Sequence, residues 1–428
     1  MGSVQAIRAT RYGVTVEGSP LGALDALLSP PYDVISPAER EALVAKSPAN
    51  SVLRDLPERL SSDAADAPYL RAAERWRRWR TDGTLRDDVS PCIYLYEERP
   101  VSGRTIRGIF AGIPVGPYGS ETGVLRHEAT LDGPKAERRA LIAAVQANLS
   151  PVILLRAGGH DAFAAAADAL ASGPTCATGV TPSGSAYRIW QVAPETAEGA
   201  ALLNWANGGD LVIADGHHRY ETARDYAERG GGLAVALGLI IESDHCAPAL
   251  YATHRIVAAP DPIALIARLS ASPLVTHHTA TTSDQLAARF ADGAPESAEL
   301  EIGVVTHSGA ALLKLDRAAI SAALPGRSAA YQSLSVTALA VLLDQSLGID
   351  ATAAAAGALR YVRGAEQAIS SALADPAPSA VLLLHGERPE QVVEVAEAGE
   401  TMPQKSTLFA PKPPTGLLFL AHEINRVG

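Results

Sequence analysis

Leu211-Val-Ile-Ala-Asp-Gly-His-His-Arg219 runs from four apolar residues into a glycine, two imidazoles and a guanidinium. The apolar part predicts a short buried strand over 211–214, and the pattern from Tyr220 to Glu228 predicts a helix after it. Asp215-Gly216 is then the turn between them. Gly216 allows close backbone approach, and the helix start offers unpaired N–H groups and the positive end of the helix dipole, which is the physics of an anion site. Arg219 adds a planar fork suited to phosphate oxygens, with His217 and His218 alongside. Asp215, at the strand end, can hold a histidine, orient the arginine or help hold a cation. Metal is the weaker functional reading of the paired histidines, since sequence neighbours rarely point the same way and no His-Glu-x-x-His or cysteine set accompanies them. The bland reading is a strand-to-helix turn that the histidines merely cap.

Working outward, the chain alternates strands and helices on both sides of this turn. Ile93 to Tyr96 and 106–115 read as strand, turn, strand; 134–148 reads as a helix with Asp132 as its N-cap and Pro134 near its start. Pro151 to Leu155 reads as a buried strand, 161–172 as an alanine-rich helix and 187–192 as a further strand. Residues 22–100 read as mostly helical. There Ser29 to Pro37 forms a proline-kinked loop, Ser36 caps a helix with Pro37 at its first position and Glu39 in its first turn, and Tyr69 to Arg80 forms a second helix. Beyond residue 258 the pattern becomes helices interleaved with isolated strands, one of them at 380–385. The expectation is a mixed α+β chain in three parts, namely a mostly helical N-terminal extension (1–90), a central core (91–258) and a smaller C-terminal α/β domain (259–428).

Composition bounds the function. With 428 residues, 47% hydrophobic and 19% charged, the chain is long enough for packed cores and too apolar for disorder. Its 36 basic against 47 acidic side chains leave a formal charge of −11, which argues against a general nucleic-acid or anionic-membrane binder. Cys92, Cys176 and Cys246 are scattered, neither a zinc set nor a disulfide framework, and suit a reducing cytoplasm. The N-terminus shows no secretory h-region, and the longest apolar stretch, Leu233 to Ile241, is under half a bilayer span. A cytoplasmic protein is expected, without membrane or nucleic-acid partners.

Three further segments carry chemistry or its imitation. Arg126-His127-Glu128-Ala-Thr130, followed by Lys135 and Arg138-Arg139, places a carboxylate beside cations, a candidate general base or cation-binding group; the plain alternative is a loop with surface ion pairs. Met402-Pro-Gln-Lys405-Ser-Thr407 and Pro411-Lys412 hold two of only five lysines, against 31 arginines, so these lysines are less easily generic surface charge. Trp76 and Trp79, three apart on one helix face, read as core with the neighbouring arginines in solvent rather than as a single-strand nucleic-acid platform. His277-His278 receives no role.

Pro30-Pro-Tyr-Asp-Val-Ile35, His127-Glu128-x-Thr130, Ile213 to Thr222, Thr253-His-Arg255 and Gly399 to Thr407, in this order, resemble domain-of-unknown-function family 1015 nearly end to end. Through that family the chain is similar to free L-serine kinases with a ParB/sulfiredoxin-like fold. The resemblance implies such a core and a nucleotide-dependent phosphotransferase that acts on a small hydroxyl metabolite, most simply free L-serine, with ATP or ADP as donor and Mg²⁺. Carried over by position, it implies Glu128 as base, with Asp215 and His218 in the catalytic set. It implies Gly216, His217, His218 and Arg219, with His127 and Lys405, around the phosphates, and no residue named as a metal ligand. Arg126 stands where the kinases have proline, and the gap from Leu155 to Asp215 is longer here. His217 occupies the slot of the sulfiredoxin cysteine, which excludes thiol-based sulfinic-acid repair at this position. The acidic charge and the lack of a basic recognition helix speak against a ParB-type DNA clamp. The rival from another class is a non-catalytic nucleotide-binding regulator. A homodimer is compatible with either.

Overall fold

The computed structural model describes residues 2–13, 23–101, 103–128, 135–231, 233–292 and 299–426. Thr130, Asp132 and Pro134 lie outside the described residues. The chain is mixed α+β and divides into two compact units. The first comprises Met1–Arg126, Thr130–Pro248 and Pro411–Gly428; the second comprises His127–Ala129 and Ala249–Ala410. Residues 1–90 and 91–248 therefore share one unit, apart from the short insertion at 127–129, and the C-terminal segment returns to it.

The first unit is built on an eight-stranded mixed sheet. Its order is Val124–Arg126, Leu211–Asp215, Val152–Arg156, Val235–Glu242, Ile106–Pro114, Ile93–Arg99, Ala186–Val192 and Ala177–Val180. Leu211–Asp215 runs parallel to Val124–Arg126 and antiparallel to Val152–Arg156, while Val235–Glu242 runs parallel to Val152–Arg156. The central strands are buried along their length, which explains why Val152 to Leu155 and Leu233 to Ile241 read as unbroken apolar runs without alternation. Helices His160–Ala171 and Ala197–Ala206 pack together, as do Lys135–Val145 and His217–Glu228.

A second core of this unit joins the N-terminal helices to the C-terminal segment. Helix Pro37–Lys46 starts with the expected cap: the Ser36 hydroxyl accepts the Glu39 N–H, and the Glu39 carboxylate accepts the Ser36 N–H at 2.8 Å. Trp76 and Trp79, on helix Ala67–Thr81, are buried with Tyr12 and Phe419, as the core reading requires. These four rings surround the buried Arg54 guanidinium at 4.2 to 5.6 Å. Backbone pairs Thr10–Phe419 and Ser29–Thr415 sew the C-terminal segment to the N-terminal one.

In the second unit the strands expected to stand isolated instead pair, Ala249–Tyr251 with Leu408–Ala410 in a two-stranded sheet and six others in a larger antiparallel sheet. Its order is Val275–Thr281, Gly309–Leu315, Glu301–Thr306, Ser379–Leu383, Thr253–Ala258 and Arg360–Arg363. Only one adjacent pair, Glu301–Thr306 with Gly309–Leu315, is a local hairpin. The others meet across helices, so local periodicity does not reveal them. No single helix among the described residues is long and apolar enough to cross a membrane.

Candidate functional site

In the first unit, strand Leu211–Asp215 ends as expected and helix His217–Glu228 follows at once. Gly216 makes the turn at φ 94°, ψ 28°, a left-handed conformation that β-carbon-bearing residues avoid. Arg219 folds back over this glycine: its guanidinium pairs with Asp215 and donates to the Pro151 carbonyl. A Cβ on residue 216 would stand 2.7 Å from the Arg219 Nε and 2.9 Å from its Cζ. Glycine is thus required both for the turn and for the seat of the arginine.

The other carboxylate oxygen of Asp215 meets a residue from the far end of the sequence. Lys412 Nζ lies 2.8 Å from Asp215 Oδ1 and 2.8 Å from Asp33 Oδ2. Burial works to lower the Lys412 pKa, but Asp215 and Asp33 outweigh it and hold the ammonium above the ordinary lysine value. The same contest, burial against Asp215 and Asp33, leaves Arg219 raised. Behind them Arg138 Nη1 donates to Asp55 Oδ1 at 3.1 Å, the Thr415 hydroxyl donates to Asp55 Oδ2 at 3.3 Å, and the Tyr32 ring covers the Arg138 guanidinium at 3.7 Å. Burial raises the Tyr32 hydroxyl pKa. Three carboxylates (Asp33, Asp55, Asp215) and three cations (Arg138, Arg219, Lys412) thus form one charge-balanced cluster.

Sequence reasoning named Asp215, Gly216, His217, His218 and Arg219 here, and the fold keeps them together by continuity. It did not name Tyr32, Asp33 or Asp55 as site members, and it noted Lys412 and Arg138 only as cations in other candidate segments. Two signals pointed that way: Pro30–Ile35 is one of the motifs that carry the resemblance, and Lys412 is one of only five lysines.

The remaining named residues, His127, Glu128 and Lys405, belong to the second unit. His127 is fully buried; its Nε2 and the Thr407 hydroxyl are 2.8 Å apart, its carbonyl accepts the Met402 N–H at 2.7 Å, and its ring meets Phe409 edge-on. Glu128 is half-buried and its Oε1 accepts the backbone N–H of Lys405 at 3.2 Å. Lys405 has an exposed side chain and a left-handed backbone, φ 57°. Its carbonyl accepts from Arg255 Nη2 at 3.2 Å. Burial pulls Arg255 down to about 10, against the opposing pull of Tyr361, Glu387 and Glu128. Three quoted motifs, His127-Glu128, Thr253 to Arg255 and Met402 to Thr407, therefore converge in this unit, while Pro30 to Ile35, Asp215 to Arg219 and Lys412 converge in the other.

Magnesium as a resident ion does not fit these donors. Among the described residues no three histidine, cysteine, aspartate or glutamate side chains are grouped to hold a metal. Asp33 and Asp215 are hard oxygen donors, yet Lys412 already bridges them and Arg219 takes the other oxygen of Asp215.

A family described as a protein of unknown function, DUF1015, matches residues 4–339, more than three quarters of the chain. The chain belongs to this family. Among solved structures it is similar to a free serine kinase in complex with AMP, at 12% identity and a TM-score of 0.37, over 76% of this chain and 96% of that one. A variant of a free serine kinase in complex with ADP gives 11% identity and a TM-score of 0.37 over the same shares. SbnI with a C-terminal truncation, from Staphylococcus aureus, gives 12% and 0.36, over 72% of this chain and 85% of that one. No curated protein sequence matches the chain.

Proposed function

We propose that this member of the DUF1015 family is a nucleotide-dependent phosphotransferase that acts on the hydroxyl of a small metabolite, with free L-serine as first candidate. The observation that carries the reading is the left-handed turn at Gly216. It opens a 12-residue helix directly beside Arg219 and Lys412. First-turn N–H groups and two cations are what a chain of phosphates requires. His217 and His218, in the first turn, flank the same position.

In this reading the donor is ATP or ADP, bound with its Mg²⁺. The acceptor oxygen attacks the terminal phosphorus in line as the bond to the leaving nucleotide oxygen breaks. Glu128 is the base proposed for the acceptor hydroxyl, and Asp215 and His218 are the further residues to which the resemblance gives a catalytic role. Phosphoryl transfer depends chiefly on positioning and charge neutralisation. Asp33 and Asp215 serve that need by holding Lys412, and Asp215 also by holding Arg219. His127 and Lys405 take part through the segment that carries Glu128: the Lys405 N–H fixes its carboxylate and the buried His127 ties the segment to Thr407.

Incubating the protein with L-serine, Mg²⁺ and ATP or ADP should yield O-phosphoserine. Glu128→Gln should lower turnover by roughly 10²–10⁴ with nucleotide affinity unchanged. Full turnover in that variant refutes the base assignment. Nucleotide binding without transfer to any of a panel of hydroxy amino acids would instead favour the non-catalytic regulator.

A further inference from the structure

One turn along helix His217–Glu228 from Arg219 stands Thr222, the last residue of the Ile213 to Thr222 motif and one that has no part in the phosphoryl transfer proposed for this chain. It is 3% exposed, and its hydroxyl has no hydrogen-bond partner among the described residues. Native interiors leave few buried hydroxyls unpaired, so an orphan of this kind points to a missing partner. Thr222 lines a cavity of about 40 Å³ that Arg138, Arg219, Asp55 and Asn148 also line, with Leu141 and Leu149 as apolar wall. A single water needs roughly 10–15 Å³, so the space admits a small polyatomic group. Both guanidinium groups are almost wholly withdrawn from solvent, with side-chain exposures of 10% for Arg138 and 11% for Arg219. Asp55, the carboxylate on the wall, accepts from Arg138 with one oxygen and from Thr415 with the other. The Asn148 side-chain oxygen accepts the Leu237 N–H at 3.2 Å, which fixes its amide orientation.

We infer that this cavity is an oxyanion pocket, in which the Arg138 and Arg219 guanidinium groups and the Thr222 hydroxyl receive the oxygens of one small carboxylate or phosphate group. Arginine is suited to both, because its donors lie in one plane at the spacing of two oxyanion oxygens. The hydroxyl hydrogen rotates to the acceptor. Apolar walls exclude water and strengthen each contact. The inference deepens the phosphotransferase reading and rests on it only for the owner of the oxyanion, either the carboxylate of an amino-acid acceptor or a phosphate of the donor.

Thr222→Val tests it on the full chain. Valine keeps the shape, and an unpartnered hydroxyl takes no hydrogen bond with it, so the melting temperature should hold or rise. Calorimetric titrations with inorganic phosphate, with L-serine and with 2-amino-1,3-propanediol, which lacks the carboxylate, separate the sources. The wild type should bind phosphate or serine. The valine variant should bind that same probe about tenfold more weakly, and Arg138→Lys should weaken it as well. Serine binding that the diol does not reproduce assigns the pocket to the acceptor carboxylate; phosphate binding without serine binding assigns it to the donor. Absence of binding by both phosphate and serine overturns the pocket, as does equal affinity in wild type and Thr222→Val. Binding that behaves as expected in a protein that transfers no phosphoryl group leaves the pocket standing and removes only the kinase reading.

Discussion

Lys412→Met is the sharpest test of the charge-balanced cluster. The ammonium makes two charged hydrogen bonds of 2.8 Å, to Asp215 and to Asp33. Hydrogen bonds to charged groups contribute about 1.5–3 kcal/mol each when sheltered. The Asp215 contact is sheltered, with side-chain exposures of 16% and 21%. Asp33 is 41% exposed, so its contact is discounted to the roughly 0–1 kcal/mol of a surface pair. Methionine fills the stem's volume but leaves two carboxylates facing each other, for an expected loss of about 2–4 kcal/mol. In a unit of this size each kcal/mol moves the melting temperature by roughly 2 °C, so differential scanning calorimetry should record a fall of about 4–8 °C. The pH dependence gives a second check. Lys412 titrates above its ordinary value when folded, so its contribution is fully present below the ordinary lysine range and disappears as pH rises through the higher folded value. The gap between wild type and variant should therefore be constant from pH 7 to 9 and close only in strong alkali. A gap below 1 °C, or one that already narrows between pH 7 and 9, refutes the reasoning.

Two further outcomes are expected. Gly216→Ala forces a left-handed alanine, at about 1–2 kcal/mol, and its methyl carbon displaces the Arg219 guanidinium from Asp215. The urea midpoint should fall accordingly, and nucleotide affinity should fall with it; an unchanged midpoint contradicts the seat described for Arg219. In the second unit, burial pushes Glu387 up to about 7 even though its carboxylate accepts the Val336 N–H at 2.9 Å. Its folded pKa exceeds the unfolded one, so it takes up a proton on folding and lowers stability as pH rises from about 4.5 to 7, by up to about 3 kcal/mol. His254, which burial pulls down to about 4, works in the opposite direction over about 4–6.5. Glu387→Gln keeps an acceptor for Val336 and removes the first slope. The variant should gain stability relative to wild type as pH rises to 7, as followed by chemical denaturation at fixed pH values; a constant difference across pH 4–8 would count against this account of Glu387.

What was legible in the sequence follows from how local each signal is. The strand ending at Asp215, the turn at Gly216 and the helix behind it all lie within twenty residues, and apolar runs and glycine report them directly. The Ser36 cap, the buried Trp76 and Trp79, and most strands and helices from Ile93 to Glu228 are of the same kind, whereas the strands Val124–Arg126 and Ala177–Val180 and the helix Ala197–Ala206 were not read from the sequence. Strand partners in the second unit were not legible, because periodicity reports that a face is buried and not against what.

The sequence by itself determined the helices and strands flanking Asp215, that an oxyanion-friendly turn sits at Asp215 to Arg219, and that the chain carries the family's motifs. Tertiary structure decided where the charges go. Lys412 follows Asp215 by almost two hundred positions and meets it only because backbone pairs at Ser29–Thr415 and Thr10–Phe419 return the C-terminal segment to the first unit. The orphaned hydroxyl of Thr222 likewise exists only once a helix face is packed against Lys135–Val145. A side chain's type is local information, whereas its partner and its burial depend on chain closure over long loops, and no short window of residues contains that.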